Sequence, residues 1–329
     1  MRKLLLVFLG ITSLTHCAFS AGGEFEDFHY DHKGSYIVID HYIGSGGDVI
    51  VPETIEGLPV TTIRNNAFYN EYNISSVTLP SSIITIEPAA FRNCYGLTNI
   101  VLGTNVEVIA DDAFSYCTAL SHISLPDSLD TLGDAAFRNC DSLADITIPS
   151  NVTTIDDLTF YYCDSLTTVT IENGSTSIGN HAFRFCYSLQ QVVIPESVTD
   201  IGAYAFSSCN NLSNLYFRGD APSIGHAFQN TTNTTVFYLP GKTGWGSTFD
   251  GRPTALWLPQ LDIPRLDTDP FGFNIRWASG QDIIVESNSS LTNSAWQPIL
   301  TNTLVEDSYY YSDEQWTNYP VHFYRVSIP

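Results

Sequence analysis

The sequence predicts a repeat solenoid of 23-residue coils, mainly β with irregular turns, followed by a small all-β sandwich domain. Three observations carry that expectation. Phe68, Phe91, Phe114, Phe137, Phe160, Phe183 and Phe206 recur every 23 residues without insertion or deletion. Apolar columns keep the same beat, as in Val77, Ile100, Ile123, Ile146, Val169, Val192 and Leu215. Beyond Phe228 the beat fails, and short alternating runs separated by Ser, Asn, Gly and Pro take over. A fixed period of this length marks units that cannot bury their apolar face alone and must stack on their neighbours.

The elements follow in order. Residues 1–20 read as a secretory signal peptide: Arg2 and Lys3, an apolar run from Leu4 to Leu14, then Ala18 and Ser20. That run is too short to span a bilayer comfortably, so no membrane span is expected. Leu14-Thr15-His16-Cys17 loosely resembles a lipoprotein processing site, which leaves a lipid-modified Cys17 as the alternative. Residues 21–47 are expected to form an amino-terminal cap, with a hairpin signalled by the alternation at Tyr36-Ile37-Val38-Ile39. Within it, Phe25–Lys33 reads as a flexible polar terminus rather than a metal cluster, despite His29, Asp31 and His32.

Residues 48–230 form the solenoid. In the coil Leu143–Ser165, the period-two alternation around Ile146 and Ile148 gives a short strand with one buried face. Pro149 ends its pairing, Val152 and Ile155 supply a second apolar edge, and Phe160 fills the interior. About six buried apolar side chains per coil give roughly 10 kcal/mol of transfer energy, most of it offset by ordering the chain. Residues 231–258 are read as a carboxy-terminal cap and 259–270, with three prolines, as a linker. Residues 271–329 are read as the sandwich, from alternation at Phe271–Trp277, Ile283–Val285, Tyr309–Tyr311 and His322–Val326, with Trp277, Trp296 and Trp316.

The pattern Leu-x-x-Ile-x-Ile-Pro-x-x-Val-x-x-Ile-x-x-x-Ala-Phe-x-x-Cys over residues 48–230 resembles the bacterial BspA-like (treponemal-type) leucine-rich repeat. The resemblance implies a secreted or surface-exposed protein of adhesion or recognition, and no catalytic residues to carry over. Departures are Glu71 for the first Cys, Gly103 and Glu172 for Pro, Thr159 for Ala and Ser175 for the Val-type residue. The last 59 residues resemble fibronectin-type-III-like modules of secreted bacterial repeat proteins. That implies either attachment to the cell envelope or a spacer and cap.

The chain carries 13 basic and 35 acidic residues, a net charge of −22, and loss of the first 20 residues makes it −24. Nucleic acid and anionic membrane surfaces are poor partners for such a chain. The excess acid serves solubility or, alternatively, cation binding by acidic columns. Cys94, Cys117, Cys140, Cys163, Cys186 and Cys209 also lie 23 apart, so their side chains point in parallel about 4.8 Å apart. Parallel Cβ vectors disfavour disulfides, and a ladder of buried thiols is expected.

No phosphate-cradling glycine loop, metalloprotease His pair or nucleophile elbow is present, and no cofactor or metal is expected. Asp111-Asp112 and Asp156-Asp157 fall in turns two coils apart and read as solvated acids; Arg92, Arg138 and Arg184 read as exposed charges near them. The pleat sets the candidate binding face. Residues flanking the buried strand positions point outwards: Ser76 and Thr78, Asn99 and Val101, His122 and Ser124, and Asp145 and Thr147. Thr168 and Thr170, Gln191 and Val193, and Asn214 and Tyr216 continue it. The expected function is non-enzymatic recognition of an extracellular protein or glycan on that face. The alternatives are a structural envelope component without a specific ligand and, behind it, a β-helix polysaccharide-degrading enzyme.

Overall fold

The computed structural model describes residues 22–262, 271–289, 296–314 and 323–329. The expected signal segment, the rest of the expected linker, Trp316 and His322 lie outside them. Among the described residues there is no helix.

Each repeat is a three-sided coil. One side is the expected strand, paired in parallel with the same strand of the next coil. Gly47–Ile50, Ile74–Thr78 and Asn99–Val101 form one sheet. Asp145–Ile148, Thr168–Ile171, Gln191–Ile194 and Asn214–Phe217 form the next, which continues through Thr235–Tyr238 and Arg252–Leu256. From Asp145 to Phe217 the register is equal: Ile146 faces Val169, which faces Val192, which faces Leu215. The sheet opens at the coil between the two. There only Asn99 bridges to His122, and the flanking bonds from Ser121 N to Thr98 O and Ala144 N to Ser121 O stretch to 3.3 Å.

The second side is a ladder of two-residue strands, Thr85–Ile86, Val108–Ile109 and Thr131–Leu132, then Thr154–Ile155, Ser177–Ile178, Asp200–Ile201 and Ser223–Ile224. The third side is the turn around Phe. Residues two before and two after the ring sit at positive φ, as do Ala135 (φ 54) and Asn139 (φ 56) around Phe137. Alternating the backbone in this way aims every second amide along the stack. Ala135 N, Phe137 N and Asn139 N donate to Asp157 O, Thr159 O and Tyr161 O of the next coil, at 2.8–2.9 Å. The coil is therefore hydrogen-bonded to its neighbour on all three sides, which satisfies the buried amides that a turn would otherwise orphan.

Inside, the Phe rings form one column. Centroids from Phe68 to Phe228 are 4.6–5.8 Å apart with neighbouring planes within 20°. Each Cys thiol is buried and donates to the carbonyl of the Phe one coil back, as Cys140 Sγ does to Phe114 O (3.3 Å). In the eighth coil Thr231 takes the Cys position and its hydroxyl makes the same bond to Phe206 O. Burial pushes up the thiol pKa values of Cys117, Cys140, Cys163, Cys186 and Cys209, that of Cys209 to about 12. The departures are accommodated locally. A Cβ at Gly103 would lie 2.2 Å from Pro80 O, the Glu172 carboxylate accepts from Ser150 N, and the buried Ser175 hydroxyl donates to Val152 O.

Both ends are closed by aromatic rings. Tyr42 stacks on Phe68 at 5.2 Å and Phe28 covers both. Phe28 belongs to strand Phe28–His32, which pairs antiparallel with Ile37–Tyr42. The segment expected to be a flexible polar terminus is thus a strand, because Phe28 and Tyr30 alternate into the core and Asp31 binds Arg64 at 2.5 Å. At the other end Trp245 and Phe249 pack on Phe217.

The carboxy-terminal module consists of two three-stranded antiparallel sheets. Gln260–Asp262, Phe271–Arg276 and Ser308–Asp313 make one; Gln297–Thr303, Asp282–Asn288 and Phe323–Ser327 make the other. The expected linker is corrected at its start: Gln260–Asp262 is a strand of the module, since Leu261 sits opposite Ile275. The module's core also takes in Leu239 and Trp257 from the solenoid's last strands, so the two units share an apolar contact.

Candidate functional site

The parallel pairing puts the predicted face residues in rows. Thr78 lies opposite Val101, Asp145 opposite Thr168, Thr147 opposite Thr170, and Gln191 opposite Asn214. All twelve predicted site residues are exposed or half-exposed, while Val77, Ile100, Ile123, Ile146, Val169, Val192 and Leu215 between them are buried. Ser76 is tied down by strand Gly47–Ile50, its hydroxyl donating to Asp48 Oδ1 at 2.7 Å. At the opened coil, His122 Nδ1 lies 3.4 Å from Asp145 Oδ1 and Ser124 Oγ lies 3.3 Å from His122 Nε2. The face is thus divided into a polar amino-terminal part and a carboxy-terminal part that ends in aromatic rings.

That aromatic end is where the module meets the sheet. Tyr216 packs on Phe237 at 5.1 Å and on Trp257 at 4.7 Å. Trp277 Nε1 of the module donates to Trp257 O (2.8 Å). Arg218 donates to Ser279 O (2.7 Å) and Ser279 Oγ (3.1 Å) and lies 3.3 Å from Asp307 Oδ1. The corner holds two open cavities. One, of about 220 Å³, is lined by Gln191, Val193, Tyr216 and Trp257 on the solenoid and by Arg276 and Asp307 on the module. The other, of about 480 Å³, runs from Asn173 and Val193 to Ser279, Gly280 and Gln281. The sequence singled out Gln191 and Tyr216 but not the second wall, because nothing in the local pattern of Trp257 or Gln260 says that the module folds back onto the sheet.

The acidic turns do something other than expected. Asp111 Oδ1 accepts from Asp134 N, Asp134 Oδ1 from Asp157 N, and Asp157 Oδ1 from Asn180 N, at 2.6–3.0 Å. These carboxylates form a side-chain ladder between coils. Burial, then the neighbouring charges of Asp111, Asp157 and Asp112, raises the Asp134 pKa. The arginines are half-buried rather than exposed. Arg92 pairs with Asp112 (3.1 Å), but Arg138 lies between the rings of Tyr116 (5.7 Å) and Tyr161 (5.3 Å), and Arg184 over Phe185 (4.5 Å). A guanidinium can stack flat on a ring, which a carboxylate partner is not needed for. No group of three or more metal-ligating side chains occurs among the described residues.

The model of the BspA-type leucine-rich repeat region matches residues 61–174 and 153–244 in 6 copies, more than half of the chain. The chain belongs to the BspA-type leucine-rich repeat family. Among solved structures, a leucine-rich cell surface protein from Faecalibacterium prausnitzii is 26% identical over 66% of this chain and 70% of its own, with a TM-score of 0.56. A leucine-rich repeat protein of T. pallidum is 29% identical over 51% of this chain and 90% of its own (TM-score 0.43). One from Bacteroides ovatus is 22% identical over 66% and 70% (TM-score 0.37). No curated protein matches the chain. The BspA-type repeat explains the solenoid, and the Faecalibacterium relative is named as a leucine-rich cell surface protein.

Proposed function

We propose that this BspA-type protein is a secreted or surface-exposed recognition protein that binds an extracellular macromolecule, a protein or a glycan, on the outward face of its parallel sheet. The observation that carries the reading is the face itself. Seven successive coils present mostly polar side chains outwards, in equal register from Ser76 to Asn99 and again from Asp145 to Asn214, over a fully apolar inner row, and solenoid sheets of this kind offer extended binding surfaces. Ser76, Thr78, Asn99, His122, Ser124 and Asp145 contribute its amino-terminal part, Thr147 to Tyr216 the rest. The cell surface location of the Faecalibacterium relative supports the location. A non-enzymatic role is supported by Asp111, Asp112 and Asp157, whose carboxylates already accept from Asp134 N, Arg92 and Asn180 N.

The test is saturable binding of the purified protein to arrays of glycans and matrix proteins, compared with a variant whose outward residues are scrambled. Equal signals from both, or none from either, would leave the role of an envelope component without a specific ligand.

A further inference from the structure

We infer that the corner between the last sheet strands and the carboxy-terminal module is a binding groove for a neutral oligosaccharide. This rests on the recognition reading above and narrows it to a place and a ligand class.

The groove is built rather than incidental. Val193 lines both cavities, so the two lie on either side of one side chain. Its walls come from different units, and ligand sites favour such junctions. The walls are locked at a set angle by Arg218 on Ser279 and Asp307, by Trp277 Nε1 on Trp257 O, and by Leu239 in the module's core. A locked groove loses little ordering entropy when a ligand enters. Volumes of about 220 and 480 Å³ suit a few sugar units; a protein partner needs a broad contact, roughly 800 Å² a side.

The lining selects the chemistry. Every cation in it already has a carboxylate: Arg276 has Asp262 (2.7 Å), Arg218 has Asp307 (3.3 Å) and Lys242 has Glu196 (3.6 Å). In a chain of net charge −22, this corner is locally balanced, so it offers neither an anion nor a cation a net attraction. What remains is planar amides, Asn173, Gln191, Gln260 and Gln281, beside the half-exposed rings of Tyr216 and Trp257. Amides both donate and accept, matching hydroxyls, and rings cover the apolar C–H faces that a sugar also presents. A purely apolar ligand would strand the amides, and a charged one would have to break an existing ion pair.

The experiment titrates the purified protein with a panel of immobilised neutral hexose oligosaccharides, alongside a panel of extracellular matrix proteins. At least one oligosaccharide should bind saturably, with affinity nearly constant between low and high salt because no net charge is involved. Trp257→Ala should weaken it by about tenfold or more. Val193→Trp, which puts a bulky ring between the two cavities from a half-exposed position, should do the same and decides the matter if Trp257→Ala does not fold. Glu107→Gln, at an exposed position outside the sheet face, should leave it unchanged. Oligosaccharide binding that survives Val193→Trp, or none at all, overturns the groove. Matrix-protein binding abolished by Thr78→Asp in that case would uphold the sheet face as the recognition surface while removing the groove from it.

Discussion

Replacing Phe137 with alanine tests the stack where it is most interdependent. The ring is fully buried, between Phe114 at 5.3 Å and Phe160 at 5.6 Å, with planes 6° and 5° from its own. Its N–H and C=O stay bonded to Thr159 O and Cys163 Sγ, so the change removes packing and no hydrogen bond. Truncating a buried Phe costs about 3–5 kcal/mol, and coils held on three sides cannot collapse into the void, which favours the upper half of that range. Two lost ring–ring contacts act in the same direction. Against a typical domain stability of about 5–15 kcal/mol this is a large loss. It is also local, because each coil touches only its neighbours. The array should break there. All five tryptophans follow residue 244, whereas many tyrosines precede Phe137. In a guanidinium titration, tryptophan fluorescence should therefore report only the carboxy-terminal part, and its midpoint should separate from that of circular dichroism. A loss below about 1 kcal/mol with coincident midpoints would show that the ring is not a shared interior contact.

Three further outcomes are expected. Cys140→Ser should destabilise less than Cys140→Ala in urea melts, because serine still donates to Phe114 O, whereas alanine gives up that bond and leaves the carbonyl with Cys117 N alone, at about 0.5–1.5 kcal/mol; the reverse order would make the thiol a simple hydrophobe. Asp134→Asn keeps the acceptor for Asp157 N and removes the repulsion from Asp111 and Asp157. The folded-state pKa of Asp134 is raised, so its favourable contribution is complete below the ordinary carboxylate range and is lost as pH rises through the folded value. The variant should melt higher than the parent at pH 7, by tenths of a kcal/mol for so solvated a group, and match it near pH 3; a gain that persists there would sink the charge argument. Arg218→Ala should free the module from the sheet, seen as faster proteolysis between the two units with the solenoid's melting unchanged; an unaltered digestion pattern would mean that Leu239 and Trp257 hold the module unaided.

The coils were legible because identity and spacing repeat: Leu143, Ile146, Ile148 and Phe160 each announce an inward position, and all four are buried. The Cys column was legible as buried, but its partner was not, since the Phe114 carbonyl that Cys140 binds is 26 residues away. The turn acids misled for the same reason. Asp111 and Asp157 look like loose surface charges until the next coil brings an amide to each. Single-residue context also hid the left-handed turns, where Ala135, Leu158 and Tyr204 occupy positions usually left to Gly or Asn. Stacking on both sides overrides that local preference. The corner groove was half visible: Gln191 and Tyr216 lie in the repeat's own pattern, while Gln260 and Gln281 reach them only through the fold of a second unit.

The amide columns on the Phe side all point one way, from each coil towards its carboxy-terminal neighbour. A stack of interchangeable units with donors at one end and acceptors at the other has, in principle, no natural length. Chain end and molecule end would look alike to a second copy, and a fibre would be as good a product as a monomer. Here the last ring's amide is closed off from within: Asp250 Oδ2 accepts from Phe228 N, and Arg252 donates to Phe228 O. One carboxylate and one guanidinium impersonate the coil that does not follow, and so turn an open-ended polymer into a counted object.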